Sequence, residues 1–104
     1  MTIQFNTNNH ITGNEKLEAY VNSSIVDELT RFSDHITRIE VHLSDENGSK
    51  NGQDDKRCML EARLKNKQPM AVTSQANTVE QAIGDALDKL KASIETTLGQ
   101  QQSY

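Results

Sequence analysis

The sequence predicts an α+β fold of order β-α-β-β-β-α, a two-layer sandwich in which a four-stranded sheet carries two helices on one face. Four short segments alternate polar and apolar residues, which is the period of a strand with one buried face. Two longer segments repeat apolar residues every three or four positions, the period of an amphipathic helix. With 104 residues, of which 34% are apolar, the chain has the length for one domain with a thin core.

The first strand and the first helix are predicted close to the N-terminus. The segment 2–6 alternates, with Ile3 and Phe5 on the inward face. Asn14 is a candidate N-cap for a helix that ends at 33–35. Its apolar stripe comprises Leu17, Tyr20, Val21, Ile25, Leu29 and Phe32. Val26 does not fit this stripe.

Two further strands are predicted in the middle of the chain. The segment 38–43 alternates with its apolar residues on one face, and the segment 56–65 does the same. The residues of the latter that face inward are Cys58, Leu60, Ala62 and Leu64, and those that face outward are Arg57, Met59, Glu61, Arg63 and Lys65. Residues 44–55 include two glycines and no apolar residue, which is typical of a long, mobile hairpin loop.

A fourth strand over 70–75 and a long second helix complete the predicted fold. Asn77 or Thr78 is the candidate N-cap, and Thr78 and Gln81 have the spacing of a capping box. The apolar stripe comprises Val79, Ala82, Ile83, Ala86, Leu87, Leu90, Ile94 and Leu98. Gly99 is expected to end the helix, which makes 1–99 a single domain and 100–104 a disordered polar tail.

The connections predict the topology. A helical crossover makes the first two strands parallel, whereas the remaining strands are joined by hairpins and are antiparallel. Since each strand has one apolar face, both helices must cover the same side of the sheet. The other side is therefore expected to face water.

Composition excludes several classes of protein. Eleven Lys and Arg residues and fifteen Asp and Glu residues give a net charge of −4, so the chain is not a bulk basic nucleic-acid binder, although a local basic patch remains open. No apolar run approaches the ~20 residues of a membrane span, and residues 1–10 have no signal-peptide character. The one cysteine, Cys58, has no internal disulfide partner, which favours a reducing cytoplasm.

No group of residues has the pattern of a catalytic or metal site. The histidines His10, His35 and His42 lack metal-ligand spacing, and Cys58 is predicted to be an inert core residue. The acidic pairs at 45–46 and 54–55 are expected to be solvated in the loop, without fixed geometry for acid–base work. The sequence therefore predicts no catalytic residue, no metal, no cofactor and no small-molecule substrate.

Five local sequences occur in an informative order. They are Phe32-Ser33-Asp34-His35-Ile36-Thr37, Val41-His42-Leu43-Ser44, Ala62-Arg63-Leu64, Ala82-Ile83 and Asp88-Lys89-Leu90. Together, over residues 3–94, they resemble the ribosome hibernation-promoting factor family, also called ribosome-associated inhibitor A or sigma-54 modulation proteins, in its short form without the extra dimerisation domain. The first segment resembles the family's Phe-Asp-His-Ile-Thr with one residue inserted.

The resemblance implies a function and a partner. Such proteins are cytoplasmic, bind the small ribosomal subunit in the channel used by mRNA and tRNA, and block translation when growth stops. Their fold is similar to that of double-stranded-RNA-binding domains. The implied mechanism is steric occlusion, which requires neither catalysis nor a cofactor.

The distribution of positive charge differs from the one that the resemblance implies. Family members present basic residues on both helices, but here no basic residue lies between Lys16 and Arg31. The outward side of the second helix is net negative, with Gln81, Asp85, Asp88, Ala92 and Glu95. The residues that we take as candidates for RNA contact are Arg38, Lys56, Arg57, Arg63, Lys65, Lys67, Lys89 and Lys91.

Two hypotheses follow. The first is a ribosome-associated translation inhibitor that contacts ribosomal RNA through phosphate and shape, because no aromatic residues interleave the basic ones. The second is a diverged protein–protein interaction module that has lost RNA binding, in which the basic segment 56–67 is a solvated strand face. Reversing the charges of Arg57, Arg63 and Lys65 distinguishes the two.

Overall fold

The computed structural model describes residues 1–8, 15–45 and 55–102, and these form the predicted β-α-β-β-β-α sandwich. Asn14 and His10 lie outside the described residues. The elements are β1 (Thr2–Thr7), α1 (Glu15–Leu29) with a 3₁₀ turn after it (Thr30–Phe32), β2 (Ile36–Asp45), β3 (Lys56–Leu64), β4 (Met70–Ala76) and α2 (Val79–Gln102).

The sheet has the strand order β1-β2-β3-β4, and its pairings confirm the predicted topology. β1 is parallel to β2, and the other two pairings are antiparallel. The register aligns Phe5 with Val41, Val41 with Leu60, and Leu60 with Val72. Because aligned residues project from the same face, the apolar positions of the four strands form continuous rows under the helices.

Both helices pack on those rows. Val21, Ile25 and Leu29 of α1 are fully buried, as are Leu90 and Ile94 of α2. The four residues of β3 predicted to face inward are buried with them. The helices therefore cover one side of the sheet, and its other side, the open face, remains accessible to partners.

Tyr20 differs from the prediction, because 45% of its surface is exposed. The core line of α1 runs through residues 21, 25 and 29, at a constant spacing of four. Tyr20 precedes that line by one position, or about 100° around the helix, so its ring lies on the flank of α1. Val26, which did not fit the predicted stripe, is also exposed.

The ends of α2 resolve one open question and correct one prediction. Thr78 is the N-cap, since its Oγ1 accepts a hydrogen bond of 3.1 Å from the backbone N–H of Gln81. The predicted helix end at Gly99 is wrong, because α2 continues to Gln102. Gly99 does not adopt the left-handed φ that ends helices, and glycine inside a helix costs only about 1 kcal/mol relative to alanine.

Candidate nucleic-acid interface

The open face of the sheet carries three of the predicted RNA-contact residues. Arg57 and Arg63 project from it on β3, as predicted, and Arg38 projects from it on β2. The register places Arg38 directly opposite Arg63, and Glu40 directly opposite Glu61. Residues of like charge thus face each other across the two strands, an arrangement that costs energy relative to opposite-charge pairs.

The ion pairs of this face run along the strands. Arg38 Nη2 lies 3.4 Å from Glu40 Oε2, and Arg63 Nε lies 3.9 Å from Glu61 Oε1. Arg38 also donates a hydrogen bond to the side-chain oxygen of Gln4 on β1. Exposed pairs of this kind contribute little to stability, so the arginines keep most of their capacity to bind an anion.

The turn after β3 adds two lysines at the end where Arg38 and Arg63 lie. Asn66 adopts a left-handed φ of 61°, which asparagine tolerates better than most residues. The backbone N–H of Lys65 donates to the carbonyl of His35 at 2.9 Å, and that of Lys67 donates to the carbonyl of Leu64 at 3.2 Å. Within the described residues, neither ammonium group has an ion-pair partner. The turn is held by its backbone, and both side chains remain exposed.

Lys89 and Lys91 belong to the helix layer. The Nζ atom of Lys89 donates to the backbone carbonyl of Thr73 on the edge strand β4 at 2.8 Å. The Nζ atom of Lys91 lies 3.5 Å from Glu28 Oε2 and links the two helices. Neither side chain lies on the open face.

Lys56 lies between two buried carboxylates. Asp45 and Asp55 are only 6% and 5% exposed, and Lys56 Nζ is 3.3 Å from Asp45 Oδ2 and 2.9 Å from Asp55 Oδ1. Its hydrogen bond with Asp55 and the charges of both carboxylates raise the pKa of Lys56, against a smaller opposing effect of burial. Its positive charge is therefore already balanced within the protein.

The prediction that these acids are solvated is wrong for Asp45 and Asp55, whereas residues 46 and 54 lie outside the described residues. The physical reason is that β2 extends further than predicted, to Asp45. Asp45 has the same parity as the buried Val41 and Leu43, a sequence signal that could have revealed its inward position.

We predict that Lys56→Met lowers the free energy of unfolding at pH 7, because two buried carboxylates would lose their shared cation. The pKa of Lys56 is raised on folding, so its stabilising contribution is present below the ordinary pKa of 10.5 and is lost at higher pH. Urea unfolding from pH 7 to 11.5 should show a difference between wild type and variant that is constant at first and then shrinks. Lys67→Met, in the exposed turn, is the control, and equal stability of wild type and Lys56→Met at pH 7 would contradict the prediction.

The groove between α1 and α2 is acidic. It is lined by four carboxylates, Asp27 and Glu28 from α1 and Asp85 and Asp88 from α2, together with the exposed ring of Tyr20. Sequence reasoning found the acidic side of α2 but not its continuation on α1. Phosphate groups are repelled from such a surface.

Other candidate chemistry is limited. His42 Nε2 lies on the open face, 3.4 Å from Glu40 Oε1, and His35 is exposed beyond α1. Within residues 1–8, 15–45 and 55–102, no three His, Cys, Asp or Glu side chains are placed to hold a metal ion. Cys58 is fully buried, and desolvation raises its pKa to about 12. Neither described helix is both long and apolar enough to cross a bilayer.

The structure thus sorts the eight RNA-contact candidates into groups. Arg38, Arg63, Lys65 and Lys67 gather at one end of the open face. Arg57 lies on the same face, six residues along β3 from Arg63, or about 20 Å away. The other three, at 56, 89 and 91, contact groups of the protein itself.

A family model matches nearly the whole of this fold. It is described as Sigma 54 modulation protein / S30EA ribosomal protein and matches residues 3–102. The chain belongs to this family. The resemblance drawn from five short segments is thereby confirmed, and the S30EA match also covers β1 and α1, where those segments do not fall.

Two solved structures share the S30EA-family fold of this chain. The N-terminal domain of Protein Y from Thermus thermophilus has a TM-score of 0.75 and 18% identity, with 93% of this chain and 99% of that chain covered. A ribosomal subunit interface protein from Coxiella burnetii has a TM-score of 0.67 and 14% identity, with 95% and 99% covered. No protein with a curated description matches the chain.

Proposed function

We propose that this S30EA-family protein is a cytoplasmic, non-enzymatic translation inhibitor that occupies the mRNA and tRNA channel of the small ribosomal subunit in stationary phase or stress. The observation that carries the proposal is the family match over residues 3–102. The fold shared with Protein Y and with a ribosomal subunit interface protein supports it.

Inhibition by occupancy requires a rigid domain and an adhesive surface, and no bond is made or broken. The open face is our candidate for that surface, with Arg38, Arg57 and Arg63 on the strands and Lys65 and Lys67 on the adjoining turn. Its described strands carry no aromatic side chain, so it would contact phosphates and sugars rather than stack on bases. Binding of this kind weakens as salt displaces the phosphate contacts.

Sedimentation of the purified protein with small ribosomal subunits tests the proposal. We expect the protein to sediment with the subunits at 50 mM salt and to dissociate progressively as salt rises, by about tenfold or more in affinity up to 200 mM. Protein that remains at the top of the gradient at both salt concentrations would rule the proposal out. The matched control is a sample without subunits, which should remain at the top throughout.

The acidic groove between the helices favours a second candidate function, a protein–protein interaction module on the same fold. Helices that meet RNA phosphates carry positive charge, whereas this groove is lined by four carboxylates. A partner for it would be a basic protein surface. On this alternative, reversing the charges of Arg57, Arg63 and Lys65 leaves partner binding intact.

A further inference from the structure

A shallow pocket lies at one end of the open face, where β1, β2 and β3 meet. It is lined by Thr2, Ile3, Gln4, Thr37, Arg38 and Arg63. Two of these side chains are positively charged and none is negatively charged. The pocket thus differs from the groove between the helices, whose charged lining residues are all acidic.

A bulge in β2 shapes this pocket. Ile36 pairs with Leu64 and Arg38 pairs with Arg63, so Thr37 is one residue more than β3 has to match it. The hydroxyl of Thr37 donates to the backbone carbonyl of Arg63 at 3.1 Å, which ties the bulge to β3. An extra residue of this kind redirects side chains, and here it brings Thr37 beside both arginines.

The two guanidinium groups are neighbours by register. Side chains at directly opposed positions of antiparallel strands lie about 5 Å apart at Cβ, so the positive charges of Arg38 and Arg63 repel each other. Glu40 and Glu61 offset this repulsion only from one side, because neither contributes to the lining of the pocket. An anion seated between the arginines would relieve the repulsion from the other side.

We propose that this two-arginine pocket binds one phosphate group of an RNA backbone, an inference that rests on the function proposed above. A phosphodiester presents tetrahedral oxygens that can accept from two separate guanidinium groups, and arginine forks match that geometry. The hydroxyl groups of Thr2 and Thr37 are further potential donors at the rim. The pocket is open to one side, which leaves room for the strand to continue over Lys65 and Lys67.

Side-chain NMR of the full chain tests this proposal directly. The Nε–H signals of Arg38 and Arg63 are followed during titration with a uridine hexanucleotide, with inorganic phosphate and with uridine, which has no phosphate. We expect the hexanucleotide to shift both signals and uridine to leave them unchanged. Shifts with inorganic phosphate alone would indicate a free-anion site and would overturn the assignment to RNA, as would no shift with either.

Three variants measure the contribution of the pocket. Arg38→Gln and Arg63→Gln should each weaken hexanucleotide binding by roughly tenfold, because each removes a charge-assisted contact. Arg31→Gln is the matched control, since Arg31 is also exposed and paired with one carboxylate, Glu95 at 2.7 Å, but lies in the turn after α1. Equal weakening by all three variants would indicate general electrostatics and would overturn the proposal.

Glu61→Gln gives a test by gain of binding. It removes the carboxylate beside Arg63 and should tighten hexanucleotide binding several-fold, a result that misfolding cannot produce. The two proposals fail separately. If wild-type protein binds subunits and Arg38→Gln and Arg63→Gln bind them equally well, the pocket assignment is wrong and the ribosomal function remains. If the hexanucleotide binds in the pocket but no protein sediments with subunits, the ribosomal function is wrong.

Discussion

Simultaneous reversal of Arg57, Arg63 and Lys65 to glutamate is expected to abolish sedimentation with small ribosomal subunits. The change removes three cations from the open face and its turn and adds three anions, so phosphates that were attracted are repelled. We expect the affinity to fall by at least about 100-fold at 100 mM salt, and the slope of log affinity against log salt to flatten by about 2. Quantitative sedimentation at four salt concentrations measures both changes.

The matched control reverses three basic residues that we do not assign to the interface, Lys16, Arg31 and Lys50. Lys50 lies outside the described residues, and all three changes alter the net charge by the same amount as the test variant. The control should retain subunit binding to within about threefold, since only distant charge changes. Loss of binding in the control together with retention in the test variant would assign the interface to the helix layer and contradict our proposal.

Cys58 is expected to react with a thiol reagent at pH 8 about 1000-fold more slowly in the folded protein than in urea. Burial raises the pKa of this thiol from its ordinary value of 9.0 to about 12, and only the thiolate reacts. A shift of three pH units lowers the thiolate fraction about 1000-fold, and the complete burial of the side chain adds a barrier to access. Stopped-flow labelling with a chromogenic disulfide measures the two rates.

A cysteine at an exposed position supplies the control for the labelling experiment. Lys67→Cys in a Cys58→Ala background should react at similar rates in buffer and in urea, because residue 67 is exposed in the turn. Since folding raises the pKa of Cys58, stability should be undiminished by this group below pH 9 and should fall as the pH approaches 12. Rapid labelling of Cys58 in the folded protein would mean that β3 is not covered by α2.

Much of the fold could be predicted because periodicity is a local property. The alternation around Val41 and Leu60 predicted two strands with one buried face, and the register of the sheet aligns these two residues. The repeat from Val79 to Leu98 predicted α2, and the spacing of Thr78 and Gln81 located its first turn. Each of these signals depends on neighbours within a few positions, which one sequence displays in full.

The candidate site was only partly predictable. Alternation placed Arg57 and Arg63 on the outward face, and composition identified the basic segment around them. It gave no indication that Lys56 would be held by Asp45 and Asp55, because that depends on where β2 ends and on how the chain returns to β3. Nor did it show that Glu28 would hold Lys91, since the contact requires the two helices to lie side by side.

The arrangement of β-α-β-β-β-α elements, the inward residues and the N-cap of α2 follow from the sequence, because backbone and burial preferences act over short stretches of chain. The tertiary structure decided which charges meet. Arg38 lies opposite Arg63, and not opposite Glu61, because a single extra residue at Thr37 sets the register between β2 and β3. A shift of one residue in pairing changes every neighbour across a sheet, and no local pattern encodes it. The pocket that we assign to an RNA phosphate exists because of that register.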